Sequence, residues 1–92
     1  MKTTKAHLFI EGRVQGVFYR AFTQDLATRL GIKGWAKNLY DGRVEALFES
    51  SRELLDQAIQ ECWKGPAGSS VRNIDVSWEE SSAEYKDFEI RY

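Results

Sequence analysis

The residues of this chain best suited by type and spacing to chemistry lie in one run, Glu11-Gly12-Arg13-Val14-Gln15-Gly16-Val17-Phe18-Tyr19-Arg20. Two glycines followed by an arginine are the parts of a small anion site. Gly12 and Gly16 can adopt φ > 0 and carry no Cβ, so the chain can curl there with successive N–H groups turned inward. Arg20 can then offer its planar fork of donors to the same anion as two parallel hydrogen bonds.

Two elements must position that run. Residues 6–10, Ala-His-Leu-Phe-Ile, are apolar and partly β-branched or aromatic, which predicts a strand. After Arg20, the apolar residues Phe22, Leu26 and Leu30 recur every four positions and predict a helix from about Tyr19 or Arg20 to Leu30, closed by Gly31. A strand-loop-helix passage sets the loop against a helix N-terminus. The first N–H groups there have no intrahelical acceptor, and the aligned peptide dipoles leave about half a positive charge. Two readings fit these letters: an anion site, or a plain turn in which the glycines only bend the chain and Arg20 is solvated. An arginine facing the positive end of a helix dipole is locally unfavourable, which favours an anion between the two.

The rest of the chain reads as alternating extended and helical segments. Residues 34–40 and 43–49 are extended and separated by Asp41-Gly42, a hairpin signal. In the second, Val44, Ala46 and Phe48 alternate with Glu45, Leu47 and Glu49, predicting one apolar face and one largely acidic face. Ser50 and Glu53 form an S-x-x-E capping box at the head of a second helix. Its apolar stripe is Leu54, Leu55, Ala58, Ile59, Cys62 and Trp63, and it ends before Gly65-Pro66. Residues 64–70 have loop chemistry. Ile74, Val76 and Trp78 mark a further half-buried strand, and residues 87–92 alternate once more. The order βαββαβ plus a short final strand predicts an α+β, ferredoxin-like sandwich: an antiparallel sheet with two helices on one face.

Ninety-two residues, 42% of them hydrophobic, suffice for one core and not for two, so 1–92 is expected to be a single domain. With one cysteine, Cys62, and one histidine, His7, neither an internal disulfide, a zinc site nor a His-activated nucleophile is expected. His7 reads as a surface or interface side chain and Cys62 as a packed small hydrophobe. The first seven residues lack the apolar core of a signal peptide and no stretch reaches membrane-spanning length, so the expected location is the cytoplasm, with no membrane partner. A monomer is expected, as no long apolar patch stands out. The net charge of −1 argues against a general nucleic-acid binder. RNA-recognition domains share this element order, but the open face of the third strand would present Glu45 and Glu49, which repel a phosphate backbone.

Element order alone does not choose a function; two motifs do. Ile10, Gly12, Val14, Gln15, Gly16, Val17 and Arg20 match the signature of an apolar residue followed by G-x-V-Q-G-V-x-F-R, and Gly34, Trp35, Ala36, Asn38, Gly42, Val44 and Glu45 match a second, G-W-V/A-x-N…G-x-V-E. In both motifs, and through Gly65-Pro66 to the closing residues 88–92, the chain resembles the acylphosphatase family over essentially its whole length. It departs at Tyr19, where the family most often has Phe, and at Ser50, where it usually has Gly.

The resemblance implies hydrolysis of small-molecule acyl phosphates to a carboxylate and inorganic phosphate without metal or cofactor. Arg20 and the backbone N–H groups of Gln15, Gly16, Val17, Phe18, Tyr19 and Arg20 would bind the phosphoryl oxygens. Asn38 would position the attacking water; without the resemblance, Asn38 reads as a hairpin residue satisfying nearby backbone. The chemistry is compatible with so small a set. A carboxylate of pKa roughly 4 to 5 leaves without a strong general acid, and what remains is electrostatic positioning. The resemblance leaves a second possibility, a domain that only binds such an intermediate for a partner; retention of both Arg20 and Asn38 favours turnover.

Overall fold

The computed structural model describes residues 3–92, and Met1 and Lys2, at the head of the segment read as lacking a signal-peptide core, lie outside them. The elements are β1 (Thr4–Arg13), α1 (Tyr19–Leu30), β2 (Lys33–Asn38), β3 (Val44–Ser50), α2 (Arg52–Lys64), β4 (Ser70–Glu80) and β5 (Phe88–Arg91). Strand order across the sheet is β4-β1-β3-β2-β5. The first four of these strands pair antiparallel, as the alternation predicts, and both helices lie against the sheet. The sheet is nonetheless mixed: β5 runs parallel to β2, setting Phe88 beside Gly34 and Ile90 beside Ala36. A final strand that returns from β4 across the width of the sheet arrives in that direction.

The period-2 pattern builds the core. Leu8 pairs with Ala46 and Ile10 with Val44 across β1 and β3, and Ala36 meets Ala46 across β2 and β3. All five are fully buried, beneath Leu26 and Ala27 of α1 and Leu55, Ala58 and Cys62 of α2. Burying a side chain such as Phe48 contributes about 1.5–3 kcal/mol, so this layer supplies much of the driving force for folding.

Helix ends follow local chemistry. At the end of α1, Gly31 takes φ 69°, its N–H donates to the Thr28 carbonyl, and the Ile32 N–H donates to the Ala27 carbonyl at 2.8 Å. This paired arrangement satisfies the last carbonyls and fixes where β2 begins. At the head of α2 the cap is Ser51, whose hydroxyl accepts from the Leu54 N–H, and not the expected Ser50. Ser50 is still paired with Thr4 in the β1–β3 ladder, which displaces the cap by one residue.

The face of β3 expected to be acidic and open is largely closed. Leu47 and Glu49 are buried. Glu49 Oε2 accepts from Ser81 Oγ at 2.8 Å and from the N–H groups of Ser82 and Ala83. The connection between β4 and β5 thus straps the underside of the sheet, and the Tyr85 hydroxyl accepts from Trp35 Nε1 further along it. On the same face the half-buried His7 places its Nε2 2.6 Å from Glu45 Oε2, and Glu45 is itself half-buried.

Candidate active site

The β1–α1 loop owes its shape to two glycines and one strained residue. At Gly12 (φ 130°) the β1–β4 register shifts, and a Cβ there would lie 2.1 Å from the Ser70 carbonyl oxygen. Only glycine allows the two backbones to approach so closely. Gly16 (φ 76°) faces open space, so its conformation and not crowding selects glycine. Phe18 follows with φ 64° and ψ 30°, a left-handed conformation at the N-cap of α1. The curl leaves the N–H groups of residues 15–20 without a protein acceptor among the described residues.

The loop is clamped at both ends. The Gln15 side-chain amide donates to the carbonyls of Leu39 (2.8 Å) and Arg43 (2.9 Å), tying the loop to the β2–β3 turn. That turn is longer than a two-residue Asp-Gly hairpin: β2 stops at Asn38, and the Leu39 N–H donates to the Arg43 carbonyl at 2.7 Å. On the other side Val17 packs against the core, 3.9 Å from where a Cβ on Gly68 would stand. The Tyr19 hydroxyl, buried, donates to the Cys62 carbonyl at 2.6 Å. The hydroxyl added at position 19 is therefore paired, and desolvation by burial raises its pKa far above the ordinary phenol range.

A cleft of about 300 Å³ opens between this loop and the ends of β2 and β5. Arg20 and Asn38 both line it, with Gly16, Phe18, Ile90 and Tyr92. Neutral groups hold the Arg20 guanidinium: the Arg91 carbonyl at 3.4 Å and the Tyr92 ring, whose centroid lies 4.8 Å away. Its charge remains available to an anion. Asn38 shares the helix-facing side of the sheet, since its cross-strand partner is the buried Val44. Its Oδ1 is buried and has no hydrogen-bond partner in the protein. A buried carbonyl oxygen left unpaired costs about 1–3 kcal/mol, so such groups are rare outside sites that use them.

Of the residues predicted for the site, the fold brings Gly16, Phe18, Tyr19, Arg20 and Asn38 to one cleft. Gln15 and Val17 contribute backbone to the loop while their side chains turn to the β2–β3 turn and to the core. The sequence reading did not single out Ile90 and Tyr92. The signal was the alternation of the last segment: with Phe88 beside Gly34 and Ile90 beside Ala36, the same period carries Tyr92 to the level of Asn38. His7 lies on the opposite face of the sheet from the cleft. Among the described residues no group of three or more His, Cys, Asp or Glu side chains is placed to hold a metal ion.

Comparison with known proteins gives a consistent result. The family profile described as "Acylphosphatase" matches residues 6–90. The chain is 39% identical over 92 residues to an acylphosphatase of Pelotomaculum thermopropionicum, covering all of both chains. It is 46% identical over 90 residues to one from Chloroflexus aurantiacus, covering 98% of each. Among solved structures, the crystal structure of acylphosphatase from Bacillus subtilis superposes with a TM-score of 0.94 at 35% identity, over 97% of this chain and 99% of that one.

Proposed function

The chain belongs to the acylphosphatase family, hydrolases that cleave the carboxyl-phosphate anhydride of acyl phosphates, and we propose that it does so without a metal, through Arg20 and Asn38. The observation that carries this reading is the buried, unpartnered Oδ1 of Asn38, which lines the same cleft as Arg20. In this mechanism Arg20 and the N–H groups of residues 15–20 hold the non-bridging phosphoryl oxygens. Asn38 Oδ1 accepts a hydrogen bond from a water and aims its oxygen at phosphorus. The new P–O bond forms as the bond to the acyl oxygen breaks, and the carboxylate departs with the electron pair. The water's proton passes to a phosphoryl oxygen, because an amide is too weakly basic to take it.

The parts are sufficient for the task. The leaving carboxylate needs no strong acid, and a preorganised arginine acting on transferring phosphoryl charge contributes about a thousandfold or more in other systems. The same reading takes residues 1–92 as one domain, monomeric and cytoplasmic, acting on a small molecule with no nucleic-acid or membrane partner; the near-balanced charge supports the exclusion of nucleic acid.

The test is hydrolysis of acetyl phosphate by the purified chain with excess chelator present. Turnover is expected to persist with chelator, to fall about a thousandfold in Arg20→Gln, and not to recover fully in Arg20→Lys, which lacks the planar fork. Turnover that vanishes with chelator and returns with a divalent cation would overturn metal independence. An Asn38→Asp chain with full activity would overturn the orienting role.

A further inference from the structure

Asn38 sits where the sheet gives it least support. It is the last residue of β2, one step beyond the Lys37–Arg91 pair at which β2 and β5 cease to run together, so β3 alone holds its backbone, through Val44. The turn that follows is exposed at Tyr40, Asp41 and Gly42. Its neck is steadied by a side chain from elsewhere. Gln15, on the β1–α1 loop, directs both hydrogens of one amide NH2 group there, to the Leu39 carbonyl at 2.8 Å and the Arg43 carbonyl at 2.9 Å. The Leu39 N–H donates in turn to the Arg43 carbonyl. Both backbone polar groups of the residue next to Asn38 are thus fixed, one of them by the loop. Among the described residues, no other side-chain hydrogen bond joins residues 14–20 to residues 38–43. Carbonyls on an exposed turn can be satisfied by water, so a donor delivered from a separate loop does more than satisfy them.

We propose that Gln15 is a positioning residue for hydrolysis: its side chain sets the water-holding Asn38 in line with the phosphoryl group held by the loop. The proposal rests on the acylphosphatase reading above. In-line attack needs phosphorus and water placed together by two different elements, the β1–α1 loop and the end of β2, and a misplacement of about 1 Å costs roughly a hundredfold in rate. Gln15 is the tie between those two elements. The anion site has its own supports. Its curl comes from Gly16 at φ 76°, and its far side is held by the packing of Val17 against the core and by the hydrogen bond from Tyr19 to the Cys62 carbonyl. Loss of the Gln15 amide therefore leaves the phosphoryl group bound and the water out of line, which lowers kcat and spares phosphate affinity.

The experiment measures acetyl phosphate hydrolysis, and its inhibition by inorganic phosphate, in the wild type, in Gln15→Ala, and in Gln15→Met, which keeps the length of the side chain without its donors. The same two substitutions are then made in an Asn38→Ala chain. In both single Gln15 variants kcat is expected to fall about a hundredfold, while the inhibition constant for phosphate stays within about threefold of the wild type. With Asn38 already replaced, no held water is left to aim. The Gln15 substitutions should then change kcat by less than about twofold, the non-additivity of residues that act as one unit. A general loosening of the fold would instead lower kcat by the same factor in both backgrounds. That result overturns the proposal, as does phosphate affinity lost in step with kcat, or an unchanged kcat in Gln15→Met; each of these leaves the enzyme reading in place. A wild-type chain that does not hydrolyse acetyl phosphate overturns both.

Discussion

The Tyr19 hydroxyl donates to the Cys62 carbonyl across 2.6 Å, and the sequence explains why that carbonyl is free to accept. Its helical donor would be the N–H of residue 66, which is Pro66 and has none. Tyr19 therefore caps the last turn of α2 from the first turn of α1, and in doing so fixes the helix start that carries Arg20.

Tyr19→Phe removes the donor and leaves the Cys62 carbonyl buried and unpaired. The expected cost is about 1–3 kcal/mol, read as a lower urea midpoint with an unchanged slope. A loss below about 0.5 kcal/mol would mean that water or a shifted backbone satisfies the carbonyl instead.

Asn38 predicts the opposite pattern. Its unpartnered Oδ1 costs stability in the free chain, so Asn38→Ala should fold as stably as the wild type or more so. The same substitution should lower acyl phosphate hydrolysis about a hundredfold or more, the scale set by loss of one preorganised polar group. Stability and activity would thus move apart, as expected where a site is held at the expense of the fold. If Asn38→Ala is destabilised while hydrolysis is retained, Asn38 is a structural residue of the hairpin.

How much of this was legible in the sequence differs by element. The loop and its arginine were readable because glycine and arginine each carry a backbone or charge property that survives without context. The core faces of β1 and β3 were readable from a period of two. Neighbours outside the local window decided the rest. Ser51 caps α2 because Thr4 keeps Ser50 in the sheet, and Glu49 is buried because residues 81–83 cross beneath it. Asn38 was placed by its motif and not by its own chemistry; what marks it physically, an orphaned oxygen in a cleft, exists only once β2, β5 and the loop have met.

Glu49 offers a test of that strap. Three donors converge on its Oε2 from residues 81–83, so Glu49→Ala strands two backbone N–H groups and a hydroxyl at once. The expected loss is about 2–4 kcal/mol, summing partly re-solvated groups. Glu49→Gln retains a carbonyl acceptor and should lose less. Hydrogen exchange at Ser82 and Ala83 reports the effect locally, and unchanged exchange in Glu49→Ala would show that the strap is held elsewhere.

Alkaline stability should be governed in part by Cys62. Burial pushes its thiol up from 9.0 to about 12. A group whose pKa is raised on folding stabilises fully below its unfolded value and loses that contribution as pH rises through its folded value. Between about pH 9 and pH 12 the unfolded chain sheds the thiol proton and the folded chain keeps it, so stability falls by about 1.4 kcal/mol per unit. Cys62→Ala should start lower, by about 1–2 kcal/mol for the missing sulfur, and then decline less steeply. The Tyr19 hydroxyl, also raised by burial, adds its own decline in both chains above pH 10.0. The window from pH 9.0 to 10.0 therefore isolates the thiol. Urea midpoints taken at half-unit steps should show the two curves converging there; parallel curves would mean that the thiol ionises as readily inside the fold as outside it.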